Sequence, residues 1–163
     1  IEALARVRQR FAGVHLHLLG GGSQEAQLRE QVQRLGLQDA VRFHGRLDDA
    51  GMAAVLARSQ LSISVPQSDA TSVSVLESMA CGLPVIASDL PANREWLAPA
   101  MLVPSGDVGA LAERWQALLA DDAKAMAVGQ TNAERIAQDG DRRAQMDAMD
   151  ALYRRLLRRE GVA

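Results

Sequence analysis

The chain has 163 residues, 48% of them hydrophobic and 23% charged, with a formal net charge of -2 at pH 7. That length supports one domain whose core needs no staples, and the slightly acidic balance argues against nucleic acid or an anionic membrane surface as a partner. No apolar run approaches the roughly 20 residues of a membrane-spanning helix, and the one cysteine, Cys81, cannot form an internal disulfide, which fits a reducing, cytoplasmic compartment.

Residues 1–12 place Leu4, Val7 and Phe11 at helical spacing, and Gly13 stops the pattern. The chain opens inside this helix and without Met, so it is expected to be a piece of a longer protein that lacks a first strand. Val14 to Leu19 reads as a strand, Gly20-Gly21-Gly22 as a turn, and Ser23 as the cap of a helix carrying Leu28, Val32 and Leu35. Gly36 ends that helix, with Leu37 placed for the apolar contact that accompanies such an end. Val41 to His44 alternates as a second strand. Asp48 or Asp49 caps a helix with Met52, Val55 and Leu56 inward. Leu61 to Val65 is a third strand, closed by Pro66. A helix after Ser72 carries Val75, Leu76 and Met79 inward and stops at Gly82. Pro84 to Ser88 is a fourth strand, residues 91–98 a short helix, and Met101 to Val103 a fifth strand.

Three helices follow, over roughly 107–120, 122–138 and 141–159. The last carries Met146, Met149, Leu152 and Leu156 on one side and paired arginines on the other. This order predicts an α/β fold: a doubly wound parallel sheet with helices on both faces and a helical tail. The expected division is an α/β unit over residues 1–138 and a C-terminal helix over 139–163.

Ligands in such sheets sit at the carboxyl ends of the strands. Two acids stand there, Asp69 in a loop and Glu77 in the following helix, with seven residues between them. The intervening helix start offers N–H groups and the positive end of a dipole to an anion. A carboxylate in this position can accept two hydroxyls of a ribose, each charge-assisted bond contributing about 1.5–3 kcal/mol. Spacing alone leaves structural alternatives open: Ser74-x-x-Glu77 matches a capping box, and Asp69 suits a loop Asx-turn.

Other candidates read more simply. His15 and His17 share a strand face, but with only His44 elsewhere they form no metal-ligand cluster, and no metal is expected. Gly20–Gly22 lacks the spacing of a dinucleotide fingerprint. Ser72 and Ser74 have no His-Asp partner set for hydrolysis. Cys81, in a small-residue helix end, is expected to be buried and inert. The arginines of the last helix are read as a solvated face rather than a phosphate or lipid site.

Residues 60–104 resemble the C-terminal, nucleotide-sugar-binding domain of retaining GT-B glycosyltransferases of glycosyltransferase family 4. That family has Glu, seven residues and Glu, then Ala-Met-Ala, a small residue or Cys, Gly, x-Pro-Val-x-Ala-Ser. Here the run is Asp69, seven residues, Glu77, then Ser78-Met79-Ala80-Cys81-Gly82-Leu83-Pro84-Val85-Ile86-Ala87-Ser88. The Gly-rich turn at 20–22, Val41-x-Phe43-x-Gly45-x-Leu47, Asn93-Arg94-Glu95 and Leu102-Val103-Pro104-x-Gly106-Asp107 agree in order. The resemblance covers about residues 1 to 120.

The resemblance implies roles position by position. Asp69 would contact donor-sugar hydroxyls. Thr71, Ser72 and Val73 would offer N–H groups to the diphosphate and sugar. Glu77 would bind the ribose, Arg46 and Leu47 would border the base, and Gly20, Gly21 and Gly22 would line the cleft floor. The substrate would be a nucleotide-diphosphate sugar, UDP- or GDP-linked, with no cofactor and no metal. The partner would be an N-terminal acceptor domain, and the compartment the cytoplasm, free or peripheral at the inner membrane face.

Two departures stand out. Asp69 replaces the usual Glu, with Ala70-Thr71-Ser72 in place of a Phe-Gly pair, and the family's Arg-x4-Lys pair for the diphosphate is absent. The expectation is therefore the donor half of a two-domain enzyme, inactive alone. The alternative is a non-catalytic nucleotide-sugar-binding or interaction module on the same scaffold. A nucleotide-sugar epimerase would need acid and base residues that the sequence does not offer.

Overall fold

The computed structural model describes residues 1–70 and 72–160. In chain order the elements are α1 (Glu2–Arg8), β1 (Leu16–Leu19), α2 (Glu25–Arg34), β2 (Val41–Gly45), α3 (Asp49–Leu56), β3 (Ser62–Ser64), α4 (Val73–Ala80), β4 (Val85–Ser88), α5 (Pro91–Trp96), a 3-10 turn (Pro99–Met101), β5 (Leu102–Val103), α6 (Val108–Leu119), α7 (Asp122–Asp139) and α8 (Arg142–Glu160). The alternation of strand and helix expected from sequence holds, as do the three closing helices. Strands begin later than the apolar pattern suggests where a turn takes the backbone first. The Val14 N–H, for example, donates to the Phe11 carbonyl at 3.1 Å, so β1 starts only at Leu16.

All the strand pairs are parallel, but they form two sheets: β1 with β2, and β3, β4, β5 in that order. Leu16 faces Val41 and Leu18 faces Phe43 in the first; Ile63 faces Ile86 and Ala87 faces Leu102 in the second. β4 is the central strand of its sheet, covered on both faces, so Val85, Ile86, Ala87 and Ser88 are all buried and read as a continuous apolar run closed by one serine. Around it pack Met79 of α4, Met101, Val103 of β5, Ala3, Leu4 and Val7 of α1, and Ala112, Trp115 and Leu118 of α6. Full burial of each large side chain contributes about 1.5–3 kcal/mol.

Local chemistry sets the helix ends. Asp48, Asp107 and Asp121 accept from Gly51, Ala110 and Lys124 N–H at 2.8–2.9 Å, capping α3, α6 and α7. Two helices end alike. Gly36 (φ +67) lets Leu37 N–H reach the Val32 carbonyl, and Gly82 (φ +71) lets Leu83 N–H reach the Ser78 carbonyl. Leu37 and Leu83 are both buried there, the apolar contact that accompanies this end. Ser23 does not cap α2. The cap position is Gln24, already helical and without a side-chain bond, and Ser23 lies in the turn before it.

One further expectation is corrected. Cys81 is exposed. It is the last residue before the left-handed Gly82, whose turn sends the chain back to the core while leaving the Cys81 side chain outside. The apolar stripe of α8 (Met146, Met149, Leu152, Leu156) is likewise exposed. Among the described residues no helix is long and apolar enough to cross a membrane.

Candidate functional site

Within each sheet the strands run parallel, so the segments after β1 and β2 leave the first sheet at one end, and those after β3, β4 and β5 leave the second at one end; the sequence-predicted residues occupy the segments after β1, β2 and β3. They form two groups. The first sits on the β1–β2 sheet. Gly20 (φ +103) turns the chain out of β1, and its N–H donates to the Gly45 carbonyl at 2.7 Å, so the Gly20–Gly22 loop lies beside the exit of β2. Gly45 itself has φ +64. Both torsions lie in the left-handed region where glycine alone is unstrained. Arg46, exposed, and Leu47, half-buried, follow directly.

The second group sits on the β3–β4–β5 sheet. The loop leaving β3 is pinned at Pro66, whose carbonyl accepts from the Ser88 hydroxyl at 2.7 Å and from the Ser105 hydroxyl at 3.3 Å. Ser88, fully buried, presents its own carbonyl to the buried Asn93 amide at 2.9 Å. Three strand ends are thereby joined before the loop reaches Asp69, which is exposed. Sequence reasoning missed this serine-asparagine anchor, although a serine closing an apolar strand was its visible signal. Thr71 lies outside the described residues.

α4 begins at Val73 with Ser72 in the cap position. Ser72 is buried, yet its hydroxyl makes no capping bond to the helix; it meets the Ser74 hydroxyl at 3.1 Å. Among the described residues the Val73 and Ser74 amides have no acceptor. This start decides the capping-box alternative. With Ser72 rather than Ser74 at the cap, Glu77 is the fifth helical residue and does not reach back to it. The residue is half-buried and, among the described residues, its carboxylate makes no hydrogen bond or ion pair. Val73, one turn earlier on the same face, is 64% exposed. Glu77 therefore stands on the outward side of α4, with Val75, Ser78 and Met79 turned to the core.

Between the two groups lies a cavity of about 680 Å³, walled by β1 on one side and β3 on the other and reached by Ser74 of α4. The first group's remaining polar feature is a histidine pair, also unforeseen as a pair: His17 Nδ1 and His44 Nε2 are 2.8 Å apart, with stacked rings. The His17 imidazole is held below its ordinary pKa of 6.5, first by desolvation of the side against its neighbours and then by repulsion from His44, His15, Arg42 and Arg58. The ring is otherwise exposed. Among the described residues no group of three or more His, Cys, Asp or Glu could hold a metal ion.

The glycosyl transferases group 1 family matches residues 1–121. The chain is 41% identical over 127 residues to a phosphatidyl-myo-inositol mannosyltransferase of Mycobacterium leprae, covering 75% of this chain and 33% of that protein. Its fold matches a sucrose-phosphate synthase from Thermosynechococcus elongatus with a TM-score of 0.85 at 29% identity, covering 96% of this chain and 42% of that one. It also matches Anabaena HepE in complex with UDP-glucose, with a TM-score of 0.76 at 25% identity, covering 84% and 39%. The chain thus spans about a third of the length of the mannosyltransferase it resembles.

Proposed function

The chain belongs to the group 1 glycosyltransferases, and we propose that it is the donor-binding domain of a two-domain, retaining hexosyltransferase that takes its sugar from a nucleotide-diphosphate donor. The observation that carries this reading is the start of α4: a buried, non-capping Ser72 and, among the described residues, amides at Val73 and Ser74 without an acceptor and a Glu77 one turn on without a partner. Helix-start amides favour an anion by about 0.3–1 kcal/mol, more when partly buried. In this arrangement Thr71, Ser72 and Val73 address the diphosphate, Glu77 accepts the ribose hydroxyls, and Asp69 contacts the sugar. Gly20–Gly22 floor the cleft, while Arg46 and Leu47 border the base.

The protein's part in the chemistry is electrostatic: it stabilises the diphosphate as it departs. The acceptor is held by a partner domain outside this chain, so the 163 residues alone bind donor weakly and do not turn it over. Division of the donor groups between two sheets supports that inactivity. A cytoplasmic location, free or at the inner membrane face, goes with this reading.

The test is release of nucleoside diphosphate by a full-length parent protein against UDP- and GDP-sugars. Glu77→Ala is expected to lower kcat/KM about tenfold to a hundredfold, the loss of one or two charge-assisted bonds, and Asp69→Ala to lower it as well. A parent protein that neither binds nor consumes any nucleotide sugar would overturn the reading. Binding without turnover would favour the second reading, a non-catalytic nucleotide-sugar module, which the shorter Asp69 in place of Glu supports.

A further inference from the structure

We propose that the β1–β2 sheet carries a second anion site on the face turned from α2, where His15, His17, His44, Arg42 and Arg58 receive a phosphate group. The inference does not depend on what the start of α4 binds.

Alternation sorts the side chains of the sheet into two faces. Leu16 and Leu18 pair in register with Val41 and Phe43, and α2 covers that face, with Arg29 Cζ 4.2 Å from the Phe43 ring centroid. His15, His17 and Arg42 take the other face, His17 and Arg42 as register partners. A bulge adds His44 to them. Leu18 pairs with Phe43 but Leu19 pairs with Gly45, so His44 is an extra residue of β2. Such a residue has no partner across the ladder and its side chain is re-aimed. Here the His44 Nε2 meets His17 Nδ1 at 2.8 Å. Arg58, two residues beyond the end of α3 at Leu56, comes near enough to repel His17. All three histidines of the chain therefore belong to this one face.

The face is without a counter-charge. The charges that act on His17 come from its own strand (His15), from β2 (Arg42 and His44) and from the end of α3 (Arg58), and each one repels a proton on the ring. Among the described residues neither Arg42 nor Arg58 makes an ion pair. An anion turns this mutual repulsion into attraction.

The donor set suits phosphate. Two guanidinium forks match its oxygens. His17 Nε2 and His44 Nδ1 are the ring nitrogens left outside the pair. With both rings neutral, one hydrogen lies between them and only one outward nitrogen carries another. One proton taken up from solvent gives both outward nitrogens an N–H and leaves the bond between the rings intact. Anion binding and uptake of that proton then strengthen each other by the same factor.

The experiment follows the histidine ring protons of the 163-residue chain by NMR in phosphate and in sodium chloride of equal ionic strength. The His17 midpoint is expected to rise in phosphate by at least about half a pH unit. Sulfate, doubly charged throughout, is expected to bind at least about fivefold more tightly at about pH 5.5 than at about pH 8. Arg42 and Arg58 are exposed, so replacing both by Gln is expected to keep Tm and to weaken sulfate about tenfold or more. Sedimentation with vesicles of phosphatidic acid in neutral lipid tells the source: binding there that the double variant loses assigns a lipid headgroup, and binding of the soluble anion alone assigns a free phosphate. Histidine midpoints equal in phosphate and chloride would overturn the proposal, as would a sulfate affinity that pH does not change. So would phosphate that moves the Val73 and Ser74 amides and leaves all three histidines unmoved, since the anion would then sit at the start of α4 alone.

Discussion

Gly129 of α7 lies directly against the carbonyl of Gly82, the left-handed glycine that ends α4. A Cβ at position 129 would overlap that carbonyl oxygen and come within 3.4 Å of Pro84 Cδ. Three residues along the same helix, the buried Asn132 amide donates to the Leu83 carbonyl at 2.8 Å. The helix proposed to hold the donor is thus fixed at its C-terminal end by backbone approach and one buried hydrogen bond.

Gly129→Ala separates two effects of opposite sign. In a helix free of contacts, alanine for glycine would stabilise by about 0.8–1 kcal/mol. Here the neighbour is backbone and cannot swing aside, so overpacking of about 1–3 kcal/mol or more opposes that gain. Net destabilisation is expected, with a fall in Tm of several degrees for a chain of this size. A rise in Tm on thermal melting would show that the close approach does not exist.

Ser88→Ala probes the anchor of the loop that carries Asp69. The Ser88 hydroxyl is one of two that reach the Pro66 carbonyl, the other being Ser105. Removing either leaves the carbonyl one donor, at a cost of about 1 kcal/mol. Removing both leaves it none, so the double variant is expected to lose more than the sum of the singles. A denaturant-unfolding cycle reads this coupling, and strict additivity would mean that the two hydroxyls do not share an acceptor.

What was legible in the sequence was what is set within a few residues. Asp48 announces a cap because it bonds an amide three positions on, and Gly36 and Gly82 announce ends because a left-handed residue there admits few alternatives. The anchor at Pro66 depends on a meeting with Ser88, 22 residues away, and no local pattern encodes it. The division of the sheet was equally hidden. Apolar runs identify β1 and β3 as strands but not which edge of each is paired. For Glu77, periodicity allowed both a capping box and a ligand carboxylate. Only the start of α4 at Val73 rather than after Ser74 removed the first.

Cys81 offers a direct check on the α4 end. The thiol is exposed beside the Gly82 turn, and it is the only cysteine in the chain. One thiol per molecule is expected to react with an aromatic disulfide reagent in native buffer, at a rate that denaturant raises only slightly. Protection in the folded state, released by denaturant, would place Cys81 inside the α4–α7 contact instead.

His17 and His44 give the first group a pH dependence whose direction is fixed. The contact between His17 Nδ1 and His44 Nε2 at 2.8 Å requires one nitrogen to donate and the other to accept, so protonation of both rings ends it. Desolvation and the nearby positive charges of His44, His15, Arg42 and Arg58 lower the folded-state pKa of His17 below 6.5. Between the folded and unfolded values the unfolded chain binds the extra proton, so stability rises with pH through that window. The contribution is fully present above about pH 6.5 and is lost as pH falls toward the folded value. Exposure of the ring to solvent keeps the effect small. The His17 ring proton resonance is expected to titrate with a midpoint below 6.5 and to move back toward 6.5 in His44→Gln. A midpoint at or above 6.5 in the unaltered chain would mean that the two rings do not face each other as described.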